Sequence, residues 1–197
     1  GTLAIMKGDT GRGEIRDGSL TVYTGDNVKL GELAKVQRVS PTIGRKPPEG
    51  ALVLFDGTTA DNFEGGKLSE DKLLMQGAAS REKHGSGELH LEFLLPFMPN
   101  ARGQGRSNSG VYLQGRYEVQ VLDSYGLNSQ MDDCAAIYSI AKPLVNVCKA
   151  PTVWQTYDIE FHAPVFQEGK KKEPAWISVW HNGVKVHEKV SLDTDNT

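Results

Sequence analysis

The stretch from Gly110 to Gly126, GVYLQGRYEVQVLDSYG, sets polar side chains at alternate positions of a valine- and tyrosine-rich run. Tyr112, Gln114, Arg116, Glu118 and Gln120 stand two residues apart. On a β-strand, residues two apart share a face. One face then carries amides, a guanidinium, a carboxylate and a phenol. The other carries Val111, Leu113, Tyr117, Val119 and Val121, with Gly115 as a gap. A carboxylate can move a proton, a guanidinium can stabilise a developing anion, and amides can hold hydroxyls. Such a face, lining a concave groove, suits the hydroxyls and oxygens of a sugar. The same pattern also describes an ordinary sandwich strand with one face in the core and one in water.

The elements that would position this strand are themselves β. The chain of 197 residues has 22 glycines and 9 prolines spread between short apolar runs, which favours many turns over helices. Strands are expected at 3–6, 14–16, 19–23, 32–39, 52–55, 73–76, 88–94, 110–114, 117–122, 135–139, 154–162, 175–181 and 184–190. Asp17-Gly18 and Asn182-Gly183 each join two such runs, and these pairs favour the type I′ hairpin turn. The fold class is all-β, a two-sheet antiparallel sandwich or jelly roll.

Composition narrows the function classes. Hydrophobic residues make up 38% and charged residues 24%, with a net charge of −3. This is a globular chain with no general attraction to nucleic acid or anionic membrane. No apolar run reaches the ~18 residues of a membrane helix. The chain opens on GTLAIMKGDTGRGEIRDG without an initiator Met. It reads as a fragment, so the lack of a signal peptide carries no information on compartment. PTIGRKPPEG, rich in proline, reads as a stiff linker over residues 41–50. Residues 1–40 read as a small β segment, the tail of an upstream domain, and residues 51–197 as the main domain.

Five blocks then carry a family resemblance: LVLFDGTTADNF at 52–63, LPFMPNARGQGRSNSGVYLQGRYEVQVLDSYG at 95–126, DCAAIYSIAKPLVNVC at 133–148, WQTYDIEF at 154–161 and WHNGVKVHEKV at 180–190. Together they resemble the 3-keto-disaccharide hydrolase domain family. The resemblance implies a concanavalin-like jelly roll, related to laminarinase-type glucanases, in an exported bacterial protein. It implies cleavage of glycosides whose sugar is already oxidised to the 3-keto form. Laminarinase-type sandwiches carry alternating acids on a central strand. Here that strand reads Glu118-Val119-Gln120, and Asp123 lies off the alternation unless a bulge rotates it. A retaining glycosidase needs two carboxyl groups about 5–5.5 Å apart, so ordinary retaining hydrolysis is not what this pattern favours.

Keto-sugar chemistry needs only one base. A ketone at C3 acidifies the C2 proton; its removal lets the group on C1 leave, and water then adds. The resemblance makes Glu118 the candidate base, with Arg116 or Arg106 stabilising the enolate. Tyr112, Gln114 and Gln120 would hold hydroxyls, and a divalent cation could chelate the ketone instead. Arg106 and Asn108 belong to the glycine-rich loop 98–110, read as a groove wall; its spacing matches no phosphate loop. The plain alternative for Glu118 is an exposed strand glutamate paired with Arg116 or a lysine.

The five histidines show no metal-ligand spacing. His90 and His187 read as strand residues, and Trp154, Trp176 and Trp180 as core residues. Cys134 and Cys148 could pair, adding roughly 3 kcal/mol by loop closure, or stay as buried thiols. Family members usually continue past the point where this chain stops, SLDTDNT, into a closing strand and a candidate histidine. The Asn182-Gly183 hairpin is therefore expected to leave a sheet edge. Val111, Leu113, Val119 and Val121 should be buried, with Gln114, Glu118 and Gln120 opening into one pocket. The second function class is a non-catalytic carbohydrate-binding module with the same face. A structural β-domain of a larger exported protein is the third.

Overall fold

A computed structural model of the chain describes residues 3–36 and 38–193. The chain forms two compact units, Gly1–Val39 and Ser40–Thr197. The first is an antiparallel meander of β1 (Ala4–Gly8), β2 (Gly11–Arg16), β3 (Ser19–Thr24) and β4 (Lys29–Ala34). Asp17 and Gly18 turn it with φ of 49° and 78°, the left-handed values that this dipeptide tolerates. None of its described residues is buried, as expected for so short a β segment.

The second unit is an antiparallel sandwich. The short pair β5 (Phe63–Glu64) and β6 (Ala79–Ser80) comes first, then β7 (Gly87–Phe93), β8 (Ser109–Leu113), β9 (Tyr117–Val121) and β10 (Gln155–His162). A small hairpin, β11 (Val165–Gln167) and β12 (Lys170–Glu173), precedes β13 (Ala175–His181) and β14 (Val184–Leu192). One layer has the order β14-β13-β10-β7. The other is built on the β8–β9 hairpin. Its β9 edge is extended by residues 135–138: Gln120 N donates to Ala136 O, Ala135 N to Gln120 O and Tyr138 N to Glu118 O, at 2.9–3.0 Å. The expected strand at 135–139 is thus a bonded segment in which Ile137 bridges to Val119 of β9 and to Ala141.

The core lies between these layers. Tyr117, Val119 and Val121 from β9 meet Tyr157, Ile159 and Phe161 of β10, Ile177 and Val179 of β13, and Val186 and Leu192 of β14. Burying each such side chain contributes roughly 1.5–3 kcal/mol. Val111 and Leu113 pack against this cluster but are only half-buried. Buried polar groups are satisfied locally. The Tyr157 hydroxyl donates to Gln120 O at 2.7 Å, tying the layers together. His181 Nε2 lies 3.0 Å from Gln155 Oε1. Asn182, in the predicted turn with φ 51°, accepts from Thr156 N and donates to Val147 O.

Several expectations change. Residues 52–55 and 73–76 form no strands. The β11–β12 hairpin is an addition: Glu168 and Gly169 turn it with φ of 51° and 73°, in a stretch whose charges hide its alternation. Trp176 and Trp180 are not core residues. They alternate with buried Ile177 and Val179 and are partly exposed; His162 stacks on Trp176 at 3.9 Å, and Trp154 is 41% exposed. The expected linker begins as docked chain. Ser40 Oγ lies 2.7 Å from Thr156 Oγ1, and Thr42 Oγ1 donates to Asp158 Oδ2 at 2.7 Å. β14 forms an edge of its sheet, where Val186 O accepts from Leu144 N.

The buried histidines set an acid limit on stability. Burial holds His181 at about 3, against 6.5 for the free group, and also lowers His187, whose bond to Ala135 O opposes the shift. Between 6.5 and the folded value the unfolded chain binds more protons, so stability is full above about pH 7 and falls as pH drops. His181 alone should remove about 3 kcal/mol by pH 4.5. Urea midpoints should be flat from pH 8 to 7 and decline below 6.5; a midpoint constant down to pH 4.5 would contradict the buried neutral ring.

Candidate active site

The hairpin register brings the chemistry together. β8 and β9 pair Tyr112 with Glu118 and Gly110 with Gln120, and residues opposite one another across strands share a face. Because Tyr117, Val119 and Val121 turn to the core, Glu118 and Gln120 turn away from it, as the alternation predicts. All residues of β9 are nevertheless buried, so its polar face is covered too.

Glu118 is only 7% exposed. Its carboxyl group lies across Gly110, where a Cβ would overlap it; only glycine gives this side chain its place. Tyr112 donates a phenolic hydrogen bond to the carboxylate. Tyr138 flanks the same strand from the other side, through its backbone bond to Glu118 O, and its phenol acts electrostatically on Tyr112. Burial raises the Glu118 pKa above the ordinary carboxyl value, and the Tyr112 hydrogen bond only partly opposes it. The Tyr112 phenol is raised in turn, by burial and by the carboxylate. The result is one carboxyl group held by a phenol, with its affinity for a proton increased. A carboxyl group shifted in this direction suits proton transfer.

The remaining expected site residues divide. Gln120 is fixed in structure: its amide donates to Gln104 Oε1 at 3.0 Å and to Asp132 O at 3.3 Å, and its oxygen accepts from Val121 N. Asn108 donates to the same Gln104 oxygen at 2.9 Å. Arg106 Nε pairs with Asp123 Oδ2 at 2.9 Å, at an angle too poor for a hydrogen bond. Asp123 N also bonds Arg106 O. These contacts pin the 98–110 loop against β9 and commit Asp123 to a cation rather than to the role of a second acid. Gln114 and Arg116 are not strand residues. Gln114 (φ 54°) and Gly115 (φ 63°) form the hairpin turn, because period-two polarity continues through a turn that it does not reveal. The shared pocket expected for Gln114, Glu118 and Gln120 therefore does not form: the first is in the turn and the last is tied down. Gln114 and Arg116 instead border a hollow of about 330 Å³ with Tyr117, Pro164, Phe166 and Lys171.

Sequence reading missed Tyr138 and Gly110. The AAIYSI run containing Tyr138 was visible as a strand, but its place beside β9 was not. The two cysteines are free and buried. Burial and the neighbouring thiol push Cys134 well up, and its sulfur lies 3.2 Å from the Tyr157 hydroxyl. Among the described residues no three His, Cys, Asp or Glu side chains converge to hold a metal ion. His90 Nδ1 is engaged with Asp158 Oδ1 at 2.7 Å, as part of the docking of residues 40–44.

The chain is an antiparallel β-sandwich with a buried carboxyl group on the outer side of one layer, and its similarity to known proteins places it among carbohydrate-active domains. A crystal structure of a candidate glycosyl hydrolase from Parabacteroides distasonis superposes with a TM-score of 0.68 at 30% identity, covering 76% of this chain and 69% of its own. The model of the 3-keto-α-glucoside-1,2-lyase-like domain matches residues 50–197, and the chain belongs to this family. Among curated proteins, none matches the chain.

Two outcomes follow for the carboxyl group. Because its folded pKa is raised, the folded state holds the extra proton between the unfolded and folded values. Its ionisation therefore costs stability as pH rises through that window, and the cost is complete above it. Glu118→Gln should raise the urea midpoint at pH 7.5 and change it little at pH 4; a lower midpoint at pH 7.5 would mean that the carboxylate is a net stabiliser. Gly110→Ala should displace the carboxyl group toward water. An NMR titration should then show the Glu118 midpoint above the ordinary range in the native chain and closer to it in the variant. Equal midpoints would show that Gly110 does not position it.

Proposed function

We propose that the chain cleaves 3-keto-glycosides by proton abstraction at C2, with Glu118 as the base. The observation that carries this reading is the buried Glu118 carboxyl group, its pKa raised, lying over Gly110 beside Tyr112. The carboxylate takes the C2 proton, and the C–H electrons form an enolate with the C3 carbonyl. The enolate collapses to a C1–C2 double bond as the C1–O bond breaks, and the protonated carboxyl group returns its proton to the leaving oxygen. Water then adds across the C1–C2 double bond, its hydroxyl to C1 and a solvent-derived proton to C2. Net hydrolysis results without a second carboxylate. The lyase-like description of the matching family and the absence of a free partner acid at Asp123 support elimination over direct displacement.

Tyr112 holds one carboxylate oxygen, which orients the other for the proton. Tyr138, whose backbone bonds Glu118 O, takes the part of donor to the enolate oxygen in this reading. Arg116 keeps its proposed electrostatic part from the turn, whereas Arg106 serves the loop through Asp123. An exported bacterial setting belongs to the same proposal. The second reading, a binding module, draws on the same sandwich and polar face but gives no reason for a carboxylate that costs stability.

Glu118→Gln separates the two. General-base catalysis contributes about 10²–10⁴-fold, so release of free sugar from a 3-keto-disaccharide should fall by about that factor, with binding little changed. The unoxidised disaccharide should be inert with either protein, since its C2 proton is not acidic. Turnover near that of the native chain in the variant would remove Glu118 from the mechanism. Binding without turnover in the native chain would favour the module.

A further inference from the structure

We propose that Tyr112 is a specificity residue for the oxidised sugar: its exposed ring receives the C4–H of that sugar and excludes sugars whose C4 hydroxyl is axial. The inference rests on the reading of Glu118 as the base and adds which face and which configuration of the sugar that base can meet.

Tyr112 is tied to the base by direct contact. β8 and β9 pair Tyr112 with Glu118, and side chains opposite one another on a shared face stand about 5 Å apart at Cβ. The phenol closes that gap with a hydrogen bond to the carboxylate. With its hydroxyl engaged and its backbone in the ladder, Tyr112 is still 52% exposed. An exposure of that size belongs to the ring. Two residues back on the same face of β8 stands Gly110, which has no side chain and across which the Glu118 carboxyl group lies. Ring and carboxyl group are therefore neighbours, and β8 puts no further side chain at the adjoining position. A side chain with two rotatable angles, tied at its tip, has little freedom left to lose when a ligand packs on it.

The chemistry of the substrate supplies the rest. Proton abstraction beside the C3 ketone needs the C2–H bond to stand across the carbonyl plane, so that its electrons pass into the enolate. In a chair pyranose that bond is the axial C2–H. A glucose-configured ring carries axial C2–H and C4–H on one face, with its C2 and C4 hydroxyl groups equatorial. The face turned to the base is thus an apolar one. A flat aromatic surface adjoining the carboxyl group meets that face at C4–H, and C–H groups pack well on an aromatic ring. Inverting C4 puts a hydroxyl group in the same place. That hydroxyl would be pressed against ring carbon and separated from water, which costs binding.

Two probes of the same anomeric form test this: methyl 3-keto-glucoside and its C4 epimer, methyl 3-keto-galactoside. Calorimetry on the Glu118→Gln background measures binding without turnover, and release of methanol by the native chain measures cleavage. The glucoside should bind about 10-fold more tightly than the epimer, the order expected for one aromatic contact kept or lost, and kcat/KM should show the same preference. Tyr112→Phe keeps the ring and drops the hydroxyl, and should keep the preference. Tyr112→Ala should abolish it, chiefly by weakening the glucoside. Tyr112→Thr, a strand-favouring residue, is the second variant without the ring should the alanine chain fail to fold. Equal binding of the two epimers with Tyr112 in place, or a preference that survives loss of the ring, would overturn the proposal. A preference lost in Tyr112→Phe would also overturn it, by assigning the effect to the hydroxyl. If the epimers are told apart through the ring but neither is cleaved, the specificity surface stands and the proposed chemistry fails. If both are cleaved equally well, the chemistry stands and the surface fails.

Discussion

The second unit depends on one constraint: β9 is buried on both faces, and its two faces have opposite chemistry. Tyr117, Val119 and Val121 fill the core, while Glu118 and Gln120 are carried to the opposite side and also covered. A strand in the middle of a sandwich can bury polar groups only if each finds partners. Much of the surrounding structure follows from meeting that demand. Gln120 is met by Gln104, Asp132 O and its own strand. The glycine-rich loop is drawn in to supply those partners, and the Arg106–Asp123 pair holds its far end.

Glu118 differs from Gln120 in bringing an ionisable group into the same covered face. Tyr112 supplies a hydrogen bond, yet burial still dominates and raises the pKa. A residue selected for stability alone would be a glutamine here, as at position 120. The strand thus contains its own comparison: two side chains of nearly equal size, two positions apart, one neutral and hydrogen-bonded, the other ionisable with its charged form disfavoured by burial. Strained or costly groups concentrate at functional sites. The Gly110 cradle strengthens the case, because a backbone position is given up to make room for the carboxyl group.

Much of this was legible in the sequence, and the failures have physical causes. Turn chemistry identified the Asp17-Gly18 and Asn182-Gly183 hairpins, where both residues of each pair are left-handed. Alternation assigned the inward and outward faces of β9. It failed at Gln114, since a turn inserted between two alternating strands can preserve the period while changing the register. It failed again at β11–β12, where Lys170–Glu173 is a run of charges with no apolar alternate positions. The tryptophans of β13 were misread because large aromatics usually go to the core, whereas here the smaller Ile177 and Val179 take those places. Tyr138 was invisible as a site residue because its role depends on a bond between segments distant in sequence. The family blocks carried what pattern could not: that the polar face belongs to a carbohydrate-active domain.

The central claim is that Glu118 breaks the C2–H bond. It is tested most directly by running a single turnover of a 3-keto-disaccharide in D₂O and observing C2 of the released 3-keto-sugar by NMR. The account predicts deuterium at C2 in product formed by the native chain, at the rate of cleavage. Product released with its original C2 hydrogen in place would show that the glycosidic bond breaks without that abstraction, and would contradict the account.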